Sequence, residues 1–184
     1  MMARAVLVAV ALLGLAETGR FAWIQSKGWL GQRLMERAWH RAEAEPAPPW
    51  PGARTRPAAR LFVPELKLDR LVVEGIETPN LAWGPGIASG ANGHTVIAAH
   101  RDTHFRFLGD LRQGHTLELE RSSGELGRWQ VSERRIVDSR TTDLDLDAHG
   151  PLLTLITCWP IDALEAGGPL RLVVSAVPTE EEAS

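Results

Sequence analysis

Three residues of this 184-residue chain carry groups suited to acyl transfer, and each stands at the end of, or inside, a short apolar run. Cys158, the single cysteine, closes Thr154-Leu155-Ile156-Thr157-Cys158. A lone cysteine cannot close an intrachain disulfide, which leaves buried filler, an intermolecular link or a reactive thiol. Burial is the bland alternative, because free cysteine is among the most buried residue types. Trp159-Pro160 follows at once. Proline cannot donate to a sheet ladder, so the strand should stop there and leave Cys158 at its rim. His100 ends the run Thr95-Val96-Ile97-Ala98-Ala99. Arg171 lies within Leu170-Arg171-Leu172-Val173-Val174-Ser175, where a permanent charge is costly unless something uses it. Strand alternation puts Arg171, Val173 and Ser175 on one face, with Leu170, Leu172, Val174 and Ala176 on the other. If the cysteine and arginine strands pair antiparallel across the loop from Trp159 to Pro169, both side chains project from one face near that loop. The chemistry is then coherent: a thiolate attacks a carbonyl, an imidazole carries protons to and from amines, and a guanidinium holds the developing oxyanion.

The elements that must position these groups read almost entirely as strands. Candidates are Arg60 to Val63, Leu71 to Glu74, Thr95 to Ala99, Thr116 to Glu120, Arg128 to Val137, Leu152 to Cys158 and Leu170 to Val177. Asn92-Gly93, Ser123-Gly124, His149-Gly150 and Gly167-Gly168 mark turns. Only Phe105 to Leu111 reads as a short helix. Short strands at turn-separated intervals predict an all-β domain, a closed or nearly closed barrel of about seven to eight strands with short helices.

The three runs together resemble a known family. Thr154 to Cys158 is similar to the TLxTC signature of sortases, the cysteine transpeptidases that anchor or join proteins outside the membrane. Asn92 to Asp102 resembles the segment holding the family's catalytic histidine, at His100, and Arg171 matches its arginine one strand beyond the cysteine. The run His100 to Leu108 and the aromatic-Pro pair after Cys158 resemble the sortase group of Gram-negative bacteria. The likeness covers roughly Ala58 to Val177, with Ala99 where many relatives have glycine. It implies a sortase barrel preceded by an N-terminal membrane helix, with His100, Cys158 and Arg171 as catalytic residues. It also implies an exported partner protein with a C-terminal LPxTG-like sorting signal, cut after its threonine. A Cys158 thioester would pass the acyl group to a primary amine. A cysteine peptidase using water, a membrane-anchored module that holds sorting peptides without turnover, and a structural domain with a buried Cys158 remain as alternatives.

Composition bounds the rest. A net charge of −3 gives no basic footprint for nucleic acid. There is no tyrosine, and four of the seven tryptophans precede the strand-rich part, as suits a membrane-interface region. Ala5 to Ala16 is apolar but shorter than the ~20 residues of a full span, and Glu17 and Arg20 interrupt it before Phe21 to Ile24. Gly14-Leu15-Ala16 offers small residues for a signal peptidase. The expectation is an uncleaved signal-anchor over residues 1–27, holding the catalytic domain on the periplasmic face of the inner membrane. Residues 28–57 then form an amphipathic helix, with Leu30, Leu34, Met35, Ala38, Trp39 and Ala42 at helical spacing, and a Pro-rich spacer with few core contacts. Residues 58–178 are the catalytic domain, and 179–184 an acidic tail.

No nucleotide or organic cofactor is indicated, since Walker A and dinucleotide-binding glycine patterns are missing. His94, His100, His104 and His115 suggest a metal site only weakly, because Zn²⁺ would compete for the groups acyl transfer needs. Asp143, Asp145 and Asp147 before His149 lack the glycine and terminal glutamate of an EF-hand loop and read as a solvated acidic turn. Arg101-Asp102 either orients His100 or pairs at the surface; both readings stay open.

Overall fold

A computed structural model describes residues 2–41, 48–143, 150–163 and 167–179. Eight strands form a closed barrel: β1 (Pro57–Val63), β2 (Leu68–Glu74), β3 (Gly86–Ser89), β4 (His94–Ala98), β5 (Thr116–Arg121), β6 (Leu126–Asp138), β7 (Leu152–Cys158) and β8 (Leu170–Pro178). Their order around the barrel is β1-β2-β3-β4-β7-β8-β6-β5, so no strand edge is left open. All seven strands expected from the sequence are present. The eighth, β3, lies just after Gly84-Pro85 and is only four residues long, too short for a period-2 pattern to declare itself. The expected helix over Phe105 to Leu111 contracts to a 3₁₀ turn at Arg106–Gly109, with Phe105, Phe107, Leu108 and Leu111 all buried around it.

Alternation explains the core. In β1 every second residue, Ala59, Leu61 and Val63, is buried, and Leu117 and Leu119 of β5 join them. β4 runs antiparallel to β3 and parallel to β7. It is buried on both faces, as central strands with parallel neighbours usually are. Leu172, Val174 and Ala176 of β8 enter the same core, while Arg171 and Val173 line the outer face, as alternation predicts.

The two expected N-terminal pieces form one helix, α1 (Met2–Arg41). Among the described residues its second half meets the barrel, through a buried stripe of Gly28, Gly31, Met35 and Ala38 at i, i+3, i+7 and i+10. A Cβ at Gly31 would lie 2.8 Å from the Trp83 carbonyl oxygen, so glycine sets how closely the helix approaches. Gln32 binds the backbone of Leu71 twice, accepting its N–H and donating to its carbonyl, each at 3.0 Å. Met35, Leu71 and Val73, with Trp39, Trp50 and Trp83 beside them, make a second apolar cluster. The Pro-rich spacer thus carries more contact than its composition suggests: Trp50 tilts against Trp83 at 4.6 Å, and Thr55 donates to the Glu74 carbonyl.

The expected membrane helix finds no support here. Among the described residues no helix is long and apolar enough to cross a membrane. Val10, Leu12, Leu15, Trp23, Trp29 and Leu30 are exposed along it.

Candidate active site

The β7–β8 ladder sets the centre of the site. The strands are antiparallel, with Cys158 directly opposite Arg171 and Ile156 opposite Val173. Side chains on opposed residues share a face, so thiol and guanidinium stand side by side. β4 approaches β7 from the other side in parallel register, the last pair being Ala98 and Ile156. Two residues further along each chain, His100 is level with Cys158 at the same rim. Three strands therefore deliver the three predicted residues to one place. Cys158 and Arg171 are half-buried and His100 is exposed.

Where the β4–β7 ladder ends, three hydrogen bonds continue it. The Ala99 N–H donates to the Ile156 carbonyl at 3.2 Å, and the Thr157 hydroxyl donates to the Ala99 carbonyl at 2.9 Å. Arg101 NH1 donates to the Pro160 carbonyl at 2.6 Å, and its Nε to Asp102 Oδ1 at 2.8 Å. Arg101 and Asp102 do pair with each other, but Arg101 is only 3% exposed and also joins the segment after Cys158. The sequence could not reveal this, because its partner lies 59 residues away.

Arg171 is held by its own loop. NH1 donates to the carbonyls of Gly168 and Leu170, at 2.7 and 2.9 Å. Its Nε and other terminal nitrogen have no protein partner among the described residues. Gly167 and Gly168 both have positive φ, 105° and 82°, a conformation that side chains other than glycine's resist. Across β8, Val137 of β6 stands opposite Arg171 and Arg135 opposite Val173. A cleft of about 220 Å³ opens over these strands, lined by Ile156, Val173 and Val137 with Arg135, Arg171, Ser139 and Thr142. The β6 side of this cleft was missed in the sequence, although Arg135, Val137 and Ser139 at i, i+2 and i+4 carry the signal. Trp159 is half-buried and packs on the main core. Beside the cleft, hydrogen bonds from Arg140 hold the half-buried Asp138 carboxyl down at about 2, aided by the charges of Arg140 and Arg171.

The remaining histidines are dispersed. His94 Nε2 lies 2.9 Å from the Thr154 hydroxyl, both residues buried, and His115 Nδ1 accepts from the Arg112 N–H. His104 is buried beneath Gly28 of α1. Desolvation lowers its pKa to about 4, with the charges of Arg70 and His100 acting in the same direction. Among the described residues no group of three His, Cys, Asp or Glu side chains could hold a metal ion. Asp145, Asp147 and His149 lie outside the described residues.

The sequence model of the Sortase domain family matches residues 61–179, which takes in the barrel from β1 to β8 and all three site residues. The chain belongs to the sortase family. Sortase D of Bacillus subtilis (strain 168) is 31% identical over 120 residues, 62% of this chain and 60% of that protein. The match thus spans about 60% of the length of that curated relative. Solved sortases share the fold at lower identity. Sortase A from Corynebacterium diphtheriae gives a TM-score of 0.58 at 20% identity, covering 91% of this chain and 95% of that one. Sortase C-1 from Actinomyces oris gives 0.56 at 24% identity, covering 67% of this sortase and 74% of its own chain.

Proposed function

We propose that this sortase is a cysteine transpeptidase that cuts an LPxTG-like sorting signal after its threonine and joins the acyl group to a primary amine. The observation that carries this reading is the direct pairing of Cys158 with Arg171, with His100 brought level from β4. Cys158 Sγ bonds to the threonine carbonyl carbon while the unengaged N–H groups of Arg171 receive the developing oxyanion. The threonine–glycine C–N bond then breaks, His100 gives its proton to the departing amine, and a thioester remains. An incoming amine attacks that thioester, His100 takes up the proton the amine loses, and Sγ leaves as thiolate.

The cleft beside Arg171 supports the polarity of substrate binding. The large apolar residues of an LPxTG-like signal, leucine and proline, lie upstream of the cut, and the residue just downstream is glycine. The upstream half therefore suits the apolar lining of Ile156, Val173 and Val137. The stretch from His100 to Leu108 and Trp159-Pro160 favour the Gram-negative group of sortases. In that setting the domain faces the periplasm, tethered to the inner membrane by an uncleaved N-terminal segment. The apolar Ala5-to-Ala16 run and the exposed Leu12, Leu15 and Trp23 support the tether. Its partner is an exported protein with a C-terminal signal.

Incubation of the protein with an LPxTG-like peptide, with and without an added amine, tests the reaction. A new amide product and a mass-trapped acyl adduct on Cys158 are expected. Free acid alone, unchanged by amine, would make the protein a peptidase, and binding without any adduct would make it a peptide-holding module. Fractionation of cells carrying a C-terminally tagged chain tests the tether. A membrane-bound product starting at Met1 or Met2 and cut by protease in spheroplasts supports it; a soluble product starting near Glu17 overturns it.

A further inference from the structure

We infer that Arg101 is the positioning residue of this site, fixing the His100 imidazole against the Cys158 thiol; the inference rests on the trio proposed above. The parallel ladder of β4 and β7 ends at Ala98 and Ile156, so the backbone pairing of those strands does not reach His100 or Cys158. Beyond that point the two chain segments are tied at both flanks of the reacting pair. On the near side, Ala99 and Thr157, which immediately precede His100 and Cys158, are linked by the Thr157 hydroxyl. On the far side, Arg101, which immediately follows His100, reaches the carbonyl of Pro160, two residues past Cys158. His100 and Cys158 thus sit within a loop of chain closed at each end by one side-chain hydrogen bond.

The chemistry of the far tie fits an exacting role better than a space-filling one. A guanidinium at 3% exposure has lost nearly all its water, and it is stable there only with partners that use its donors. Its bond to Pro160 is short and charge-assisted, and the neighbouring Asp102 carboxylate, half-exposed, supplies the counter-charge and holds Nε. The planar fork fixes two directions at once, one along the His100 turn and one across to the cysteine segment. Proton transfer between imidazole and thiol requires their separation to be held near hydrogen-bonding distance, and a misplacement of about 1 Å costs on the order of 100-fold in rate. The bonds of Arg101 to Pro160 and Asp102 join the segments that flank His100 and Cys158, so its effect runs through the placing of His100.

The test uses Arg101→Gln and Arg101→Lys in the full chain. Three quantities are measured: kcat and KM for an LPxTG-like peptide, and the pH dependence of Cys158 alkylation by iodoacetamide. For Arg101→Gln, kcat is expected to fall by about 100-fold with KM changed less than about threefold. The pH profile of alkylation should differ from the parent's. Arg101→Lys keeps a donor for Pro160 but not the second direction, so it should recover only part of kcat. Where Arg101→Gln fails to fold, Thr157→Val loosens the near tie without burying a new charge and should shift the same profile. An unchanged alkylation profile and kcat in folded Arg101 variants, with only thermal stability lowered, would overturn the inference. Cleavage retained by Cys158→Ala would instead overturn the underlying trio, so the two failures are told apart.

Discussion

The barrel and the helix in front of it are attached to the rest of the molecule by different physics. Each barrel strand is hydrogen-bonded on both sides, and one continuous apolar core fills the interior. Helix α1 meets that barrel along one narrow stripe, held by close glycine contacts, the paired bonds of Gln32 to Leu71 and a small cluster around Met35. Cys158, Arg171 and His100 lie at the rim of the first region, and His104, four residues past His100, lies under the second. Chemistry and attachment are therefore separable by mutation, and the two regions should fail independently.

The largest effect expected is on chemistry alone. Cys158→Ala should abolish peptide turnover while thermal unfolding stays close to that of the parent, because a half-buried sulfur at a rim contributes little packing. Normal cleavage by this variant would remove Cys158 from the mechanism. Next, Arg171→Lys should reduce kcat/KM by about 100- to 1,000-fold, roughly 2.7–4 kcal/mol, as loss of one oxyanion-hole donor does elsewhere. A lysine ammonium cannot be anchored on Gly168 and Leu170 and still offer planar donors to a peptide oxygen. Near-parental turnover would show that only positive charge matters at that position.

The helix should respond to a different set of changes. Gly31→Ala places a methyl group 2.8 Å from the Trp83 carbonyl oxygen, which forces α1 outward. A loss of about 1–3 kcal/mol is expected, in the range of overpacked sites. Activity per folded molecule should hold at low temperature. Truncation sharpens the same contrast. Removing residues 1–27 should leave the unfolding midpoint unchanged, whereas removal through residue 41 exposes Leu71, Val73 and Trp83 and should lower both midpoint and solubility. Equal effects from the two truncations would mean that the free half of α1 also stabilises the domain.

Which features were legible in the sequence follows the same division. The barrel strands, and the placing of Cys158, His100 and Arg171 at one rim, were readable because period-2 alternation and a polar residue at the end of an apolar run are local signals. Arg171 faces Cys158 as alternation required, and only the four-residue β3 was too short to show. The helix was harder to read. Glu17 and Arg20 interrupt hydrophobicity but not helical hydrogen bonding, so they suggested a division where the backbone has none. Its docking stripe begins with Gly28 and Gly31, which a search for large apolar residues passes over. Arg101 is a burial event decided by tertiary contact, and nothing adjacent in sequence announces it.

The smallest effect expected concerns His104, which lies at the boundary of the two regions. A Cβ on Gly28 would stand 3.4 Å from His104 Cε1 and 3.6 Å from Nε2, so the ring is covered by the helix. Burial, with Arg70 and His100 nearby, lowers its pKa from the ordinary 6.5 to about 4. The neutral ring is thus favoured in the folded state, and the unfolded chain binds the proton more readily. Stability contributed this way is complete above the unfolded pKa of 6.5 and is lost progressively as pH falls toward the folded value of about 4. At pH 5.5 the loss should be on the order of 1 kcal/mol relative to pH 7.5. His104→Gln removes the titration, so its midpoint should vary less between pH 7.5 and 5 than the parent's, whatever its absolute stability. Tryptophan fluorescence adds a readout of place, because Trp39, Trp50 and Trp83 gather where α1 docks. A fluorescence change that precedes global unfolding as pH falls would locate the loss at the helix seam. Parallel pH dependence in parent and His104→Gln would show that the acid sensitivity arises from other groups.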